Sequence, residues 1–198
     1  MIGVAGHVEP SDAELLFRVS RGDEGAYRDL IHRHEASCYR VALAMTRTTW
    51  DAEEAVGSAF AELWRRRDRV RLVDESVRPW LLTVVSFAAK NQLRGLGRYR
   101  RLLAKVPRED AVPDHADEVA RLLDGAVIGR EVRDALARLR AVDAALVVLC
   151  LVEGLTMREA ALATGVPEGT VKSRLSRAKA RLRQDLAHVA PAVQEVTE

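Results

Sequence analysis

The chain is 198 residues long, 48% hydrophobic and 30% charged, with a formal net charge of +2. That length holds one sizeable domain or two small ones, and the apolar share is enough for a buried core, which excludes a disordered polymer. The longest apolar run, Ala144 to Val152, has nine residues against about 20 for a membrane span, so no membrane insertion is expected.

Residues 1–10 lack the basic start and long apolar stretch of a secretory signal and read as disordered. Cys38 and Cys150 lie far apart within apolar helical patterns, which excludes a disulfide scaffold and makes a reducing cytoplasm the expected location. The small net charge hides an uneven distribution. Residues 65–105 carry 12 basic side chains against 3 acidic, and residues 167–184 carry 6 against 1. The segments around them are net acidic. Two basic blocks fit either a polyanion held at two places or two solvated helix faces.

Helical periodicity dominates the chain, and strand-like alternation is absent. Ser11 with Glu14 forms a capping box that starts a short helix through Val19. A long pattern runs from Glu24 to Thr46, broken by Thr48-Thr49. Asp51 with Glu54 reads as a second capping box, opening a helix to Arg67 whose core stripe is Ala52, Ala55, Val56, Ala59 and Leu63. Its outward face offers Glu54, Ser58, Ala61 and Arg65 to a partner protein. Residues 68–78 form a basic loop, and Pro79 suits the first turn of a helix reaching Leu103. Segment 105–117 contains two prolines and no apolar periodicity, and reads as a linker. Helices are predicted near 118–138, 143–153, 156–164 and 168–187, with a short acidic tail at 189–198. The expected fold is therefore all-α, with helical domains at 11–104 and 118–188.

The sharpest local pattern is EGLTMREAALATGVPEGTVKSRLSRAKARLR at 153–183. Thr156 with Glu159 caps a helix, Gly165 stands where the chain must leave it, and a second helix follows Val166-Pro167 at helix-turn-helix spacing. At 100° per residue, Val171, Leu175, Ala178 and Leu182 share one stripe, and Lys172, Ser173, Ser176 and Arg177 lie opposite. Arg174 and Lys179 flank them. Long cations and small hydroxyls on one helix face suit guanine edges and phosphates in a major groove.

The other basic block interleaves cations with Trp80, Phe87 and Tyr99. That mixture, with the Asn91 amide and with Lys90, Arg94 and Arg98, suits unstacked single-stranded bases. Taken singly, Trp80 and Phe87 read as core side chains. The five histidines are scattered, and neither a Gly-rich phosphate loop, a His-Glu metal spacing nor a nucleophile elbow occurs, so no cofactor, metal or catalytic site is expected.

Residues 51–64 (DAEEAVGSAFAELW), 78–94 (RPWLLTVVSFAAKNQLR) and 153–183 together resemble a bacterial RNA polymerase sigma factor, of the sigma-70 superfamily and the extracytoplasmic-function (ECF) type. The resemblance implies a region two at 11–104 that binds core RNA polymerase and melts and reads the minus-ten element. It implies a region four at 118–188 that reads the minus-thirty-five element, with the polymerase clamp and flap as contacts. Residues Asp51, Glu54, Ser58, Ala61, Glu62 and Arg65 match the polymerase-binding helix. Trp80, Phe87, Lys90, Asn91, Arg94 and Arg98 match the melting helix, and the loop at 68–78 is implied to read a flipped base. The partners implied are core polymerase, duplex and single-stranded promoter DNA, and an anti-sigma protein. Three positions depart from the family pattern. Gly57-Ser58 stands where Gln-Glu is common, Phe87 where Asn is common, and Arg140 where Pro is common after the Leu. A stand-alone helix-turn-helix regulator is the competing reading.

Overall fold

The computed structural model describes residues 9–103 and 128–187. Four helices make up the first stretch: α1 (Asp12–Ser20), α2 (Glu24–Thr46), α3 (Thr49–Arg66) and α4 (Arg78–Leu103). Four more make up the second: α5 (Ile128–Arg138), α6 (Ala141–Val147), α7 (Met157–Thr164) and α8 (Glu168–Asp185). Among the described residues the only strand-like pairing is one isolated bridge between Val73 and Ser76. The expected linker at 105–117, the part of the predicted fifth helix before Ile128, and the terminal segments 1–8 and 188–198 lie outside the described residues.

Side-chain caps start the helices where the sequence places them. Ser11 accepts from the Glu14 amide at 3.2 Å and Asp23 from the Ala26 amide at 3.0 Å, each satisfying a donor that the first turn leaves free. The predicted cap of α3 is displaced by one turn. Thr48, not Asp51, is the cap: its hydroxyl accepts from the Asp51 amide at 3.2 Å and donates to the Asp51 carboxylate at 2.7 Å. Both Thr48/Asp51 and Asp51/Glu54 satisfy the spacing. Thr48 prevails because α2 ends immediately before it, on a left-handed Arg47 with φ 72°.

The last turn of the predicted 143–153 helix also differs. The helix opens at Ala141, and after Val147 it widens into a π-helical turn over Val148–Val152. There the Glu153 amide bonds back five residues to the Val148 carbonyl at 2.9 Å. Ala144 to Leu149 are buried, but Leu151 and Val152 are exposed, so the nine-residue apolar run covers core and surface together.

The two helical groups share one hydrophobic core. Helix α2 packs against α1, α3 and α4, and also against α6, while α7 packs on α4. Leu30, Leu63, Leu81 and Leu82 from the first group and Leu146 and Leu149 from the second are fully buried in the same cluster. Each such leucine contributes roughly 1.5–3 kcal/mol relative to an exposed position. A smaller cluster, Leu139, Ala144, Val147, Leu175 and Ala178, binds α8 to α6.

Asp12, at the start of α1, is a buried carboxylate. Its Oδ1 accepts from Arg33 Nη1 at 2.9 Å; its Oδ2 accepts from His34 Nε2 at 2.9 Å, Ser76 Oγ at 2.7 Å and the Val77 amide at 3.0 Å. Burial pushes its pKa up, and the hydrogen bonds from His34, Ser76, Val77 and Arg33 more than offset that, holding it well below the usual carboxylate range. A depressed folded-state pKa adds stability that is fully present above the unfolded value, about 3.9, and is lost as pH falls toward the folded value. In urea unfolding, the stability gap between wild type and Asp12→Asn is therefore expected to be constant near neutrality and to shrink below about pH 4. A gap independent of pH down to acid unfolding would count against an ionised Asp12.

Candidate nucleic-acid interface

The helix-turn-helix is assembled as its spacing predicts. Thr156 and Glu159 form a reciprocal capping box on α7: the Glu159 amide donates to Thr156 Oγ1 at 3.2 Å, and the Thr156 amide donates to Glu159 Oε2 at 2.8 Å. Gly165 ends the helix at φ 67°, a left-handed conformation that favours glycine, and its amide reaches the Ala161 carbonyl at 2.8 Å. Helix α8 then lies with Val171, Leu175 and Ala178 buried and Leu182 packed beside them. Lys172, Ser173, Ser176 and Arg177 are all exposed on the opposite side. Ser173 Oγ donates to the Thr170 carbonyl at 3.0 Å, and Arg177 Nε donates to the Ser173 carbonyl at 3.2 Å, so both bond to their own helix.

The two flanking cations differ. Arg174 Nη1 is committed to Asp143 on α6 at 2.9 Å, which fastens α8 to its support. Lys179 is half-buried.

Helix α4 carries the second surface. At 100° per residue, positions 80, 87, 91, 94 and 98 fall within about 60° of one another, a single stripe down the helix. Trp80 is half-buried against the core. Phe87, Asn91 and Arg94 are exposed. Arg98 lies in α4 at the same register, with its side chain outside the described residues. Of the two readings of Phe87, the core one fails: the residue is 45% exposed. The α4 core is instead Leu81, Leu82, Val85 and Ala89, one quarter-turn or more away. A π-face, an amide and a guanidinium in one line can stack on a base, hydrogen-bond its edge and neutralise a phosphate.

On α3, Glu54, Ser58, Ala61 and Arg65 form an exposed line opposite the buried Ala52, Ala55, Ala59 and Leu63. Asp51 is tied to Thr48 and Glu62 is paired with Arg65 and Arg66. Gly57 is exposed in mid-helix, with open space where a Cβ would stand. At the end of α3, Arg65, Arg66, Asp68 and Arg69 line a cleft of about 490 Å³.

Several cations of the first group are occupied by the second, which sequence reasoning missed. Glu153, 1% exposed, receives Arg40 Nε at 2.8 Å and lies 3.7 Å from Arg78 Nη1, while Arg78 Nη2 also donates to the Glu153 carbonyl at 2.8 Å. Arg47 donates to the carbonyls of Leu136 and Leu139 at 3.1 and 2.6 Å, at the C-terminal end of α5. Lys90 donates to the Thr164 carbonyl at 3.1 Å, at the C-terminal end of α7, and sits against Gly165. Cations at helix C-termini complement the partial negative charge there. Contacts between residues more than seventy positions apart carry no local sequence signal.

Residues 30–99 match the family described as Sigma-70 region 2, and residues 129–182 match Sigma-70, region 4. The chain is 35% identical over 188 residues to the ECF RNA polymerase sigma factor SigM of Mycobacterium tuberculosis, covering 95% of this chain and 91% of that protein. It is 29% identical over 184 residues to the ECF RNA polymerase sigma factor RpoE of Cereibacter sphaeroides, covering 89% and 96%. Among solved structures, the sigma factor RpoE of Bartonella quintana, in complex with the anti-sigma factor NepR, is similar at a TM-score of 0.59 and 25% identity. That match covers 76% of this chain and 89% of that one. CnrH, solved with the cytosolic domain of CnrY, shares the fold at a TM-score of 0.59 and 22% identity, covering 90% and 99%.

The exposure of Phe87 sets an expectation for its replacement. Phe87→Asn should change folding stability by no more than about 0.5 kcal/mol, as for a surface position. Chemical denaturation checks this, and a loss of several kcal/mol would place the ring in a core.

Proposed function

The chain belongs to the extracytoplasmic-function RNA polymerase sigma factors, and on that premise we propose how its residues divide the work of promoter-specific initiation. As a sigma factor it binds core RNA polymerase and directs transcription initiation at promoters, with region two serving the minus-ten element and region four the minus-thirty-five element. In our reading α8 lies in the minus-thirty-five major groove. Lys172 and Arg177 reach phosphates or guanine edges, and Ser173 and Ser176 allow close approach. Arg174 positions the helix through Asp143 rather than reading sequence. The α4 stripe takes the melted minus-ten strand, with Phe87 stacking in place of a base-bonding amide, and Asn91, Arg94 and Arg98 supplying polar and phosphate contacts.

The exposed line Glu54, Ser58, Ala61 and Arg65 faces the polymerase clamp, flanked by Asp51 and Glu62. The phosphodiester chemistry is the polymerase's own. Because the similar RpoE and CnrH chains were solved with NepR and with CnrY, an anti-sigma protein is proposed as a partner here too, and the cytoplasm as the site of action. Among the described residues no helix is long and apolar enough to cross a membrane.

The observation that carries this reading is the pairing of two different DNA-facing surfaces in one chain. A stand-alone regulator needs the α8 face but has no use for an aromatic and cationic stripe on α4. The test is co-purification of the chain with bacterial core RNA polymerase, followed by run-off transcription from genomic fragments. Association with initiation at defined start sites is the expected result. A folded chain that binds duplex DNA but never associates with core polymerase would favour the regulator.

In the described arrangement Lys90 is bonded to Thr164, so loading a strand along α4 competes with region four for the same ammonium. Two outcomes follow. With Lys172→Ala or Arg177→Ala, promoter binding by the holoenzyme should weaken by about 1–3 kcal/mol without loss of folding; unchanged promoter-specific transcription in both would remove the α8 face from the reading. With Glu153→Gln, Arg40 and Arg78 lose their carboxylate partner, and small-angle scattering should report a larger radius of gyration for the free chain. An unchanged radius would show that the carboxylate does not hold the two groups together.

A further inference from the structure

The network around Asp12 reaches a segment far from it in sequence. Between α3 and α4 the chain turns sharply at Asp74-Glu75. Both residues have positive φ, 48° and 59°, and Val73 and Ser76 exchange two backbone hydrogen bonds of 3.0 Å. This is the geometry of a two-residue hairpin turn whose central positions favour Asn and Gly. Asp-Glu occupies them at a cost in backbone strain. Val73, Asp74 and Glu75 are exposed, and the Val73–Ser76 pair closes the turn.

The hold is at the exit. Ser76 Oγ and the Val77 amide both donate to Asp12 Oδ2, at 2.7 and 3.0 Å. Ser76 Oγ in turn accepts from the Arg78 amide at 3.2 Å, the first residue of α4. Asp12 is itself fixed by Arg33 and His34 from α2. A buried carboxylate with every oxygen committed tolerates little displacement, because a broken bond leaves a charged acceptor or a buried amide unpaired. The strained turn is thereby referenced to α2 and to the start of α4 together.

We propose that Asp12 is a positioning residue for promoter reading: through Ser76 and Val77 it sets the pose of the 68–78 loop against the α4 stripe, and so sharpens discrimination at the minus-ten element. The inference rests on the assignment of that loop to base reading. Asp12 touches no DNA. It acts by limiting the loop to one conformation, so that a wrong base cannot be accommodated by movement of the tip.

The experiment uses the full chain with core polymerase. A promoter selected by the wild-type holoenzyme from a randomised library is compared with single-base variants in its minus-ten and minus-thirty-five elements. Run-off transcript is measured at saturating sigma factor. For Asp12→Ala the preference for the selected minus-ten base should fall about tenfold, the range a single base mismatch commands. Ser76→Ala removes one hydroxyl from a partly exposed position and should give a smaller loss of the same preference. Discrimination at minus-thirty-five should not change in either variant.

A merely structural role would lower output from every promoter in proportion to the folded fraction and leave these ratios intact. That result, in the well-folded Ser76→Ala as well as in Asp12→Ala, would overturn the proposal. Arg69→Ala and Arg71→Ala, within the loop, separate its failure from that of its premise. If they alter minus-ten preference and the anchor variants do not, the positioning role is wrong. If neither set alters it, the loop does not read the base, and the proposal falls with that assignment.

Discussion

Helix α2 is packed by elements from both halves of the chain, and the rest of the molecule is arranged by that fact. Leu30, Cys38, Val41 and Ala42 lie at zero exposure along it. It receives α1, α3 and α4 from the first half of the chain, and α6 and the π-helical turn that follows from the second. A 23-residue helix is long enough to support both, since most helical stability in proteins comes from packing of its faces. Arg40 within this helix and Arg47 just past its end then bond groups of the second half of the chain. The thiol of Cys38, pushed up to about 12 by burial and by the nearby Glu153 charge, is a packing group there and not a nucleophile.

Two buried carboxylates do the long-range fastening, and each joins parts of the chain that the hydrophobic pattern leaves independent. Asp12 ties α1, α2 and the α3–α4 loop into one unit. Glu153 ties region four to α2 and to the start of α4. A buried ion pair is a weak net source of stability, because desolvation offsets the attraction, but breaking it from one side costs about 3–5 kcal/mol. Such pairs therefore specify an arrangement more than they strengthen it. The two networks meet at Ser76 to Arg78, so the loop exit is held from the region-two side by Asp12 and from the region-four side by Glu153.

The docked arrangement treats the two surfaces proposed to face DNA unequally. On α8, Lys172, Ser173, Ser176 and Arg177 stay exposed. On α4, Lys90 is bonded to the end of α7 while Phe87, Asn91 and Arg94 stay exposed. Contacts of this kind, main-chain carbonyls against flexible cations over a shared apolar core, can be exchanged for phosphate contacts of similar chemistry.

The sequence alone determined what local periodicity and capping chemistry can encode. The helices of the described residues, the helix-turn-helix with its glycine exit, and the buried and exposed faces of α3 and α8 were all legible, since residues three and four apart share a helix face whatever the tertiary context. So was the family, from motifs in two blocks. The α3 cap stands one turn earlier than read because Thr48/Asp51 and Asp51/Glu54 both satisfy the spacing, and the place of Phe87 is not legible because composition does not say which aromatic of a stripe meets the core. The docking of region four on region two, the burial of Glu153 and the four donors around Asp12 were decided only by the tertiary structure. Those contacts join residues from 21 to 113 positions apart, and at that range the partner of a charge is set by which helix faces the chain brings together rather than by any spacing along it.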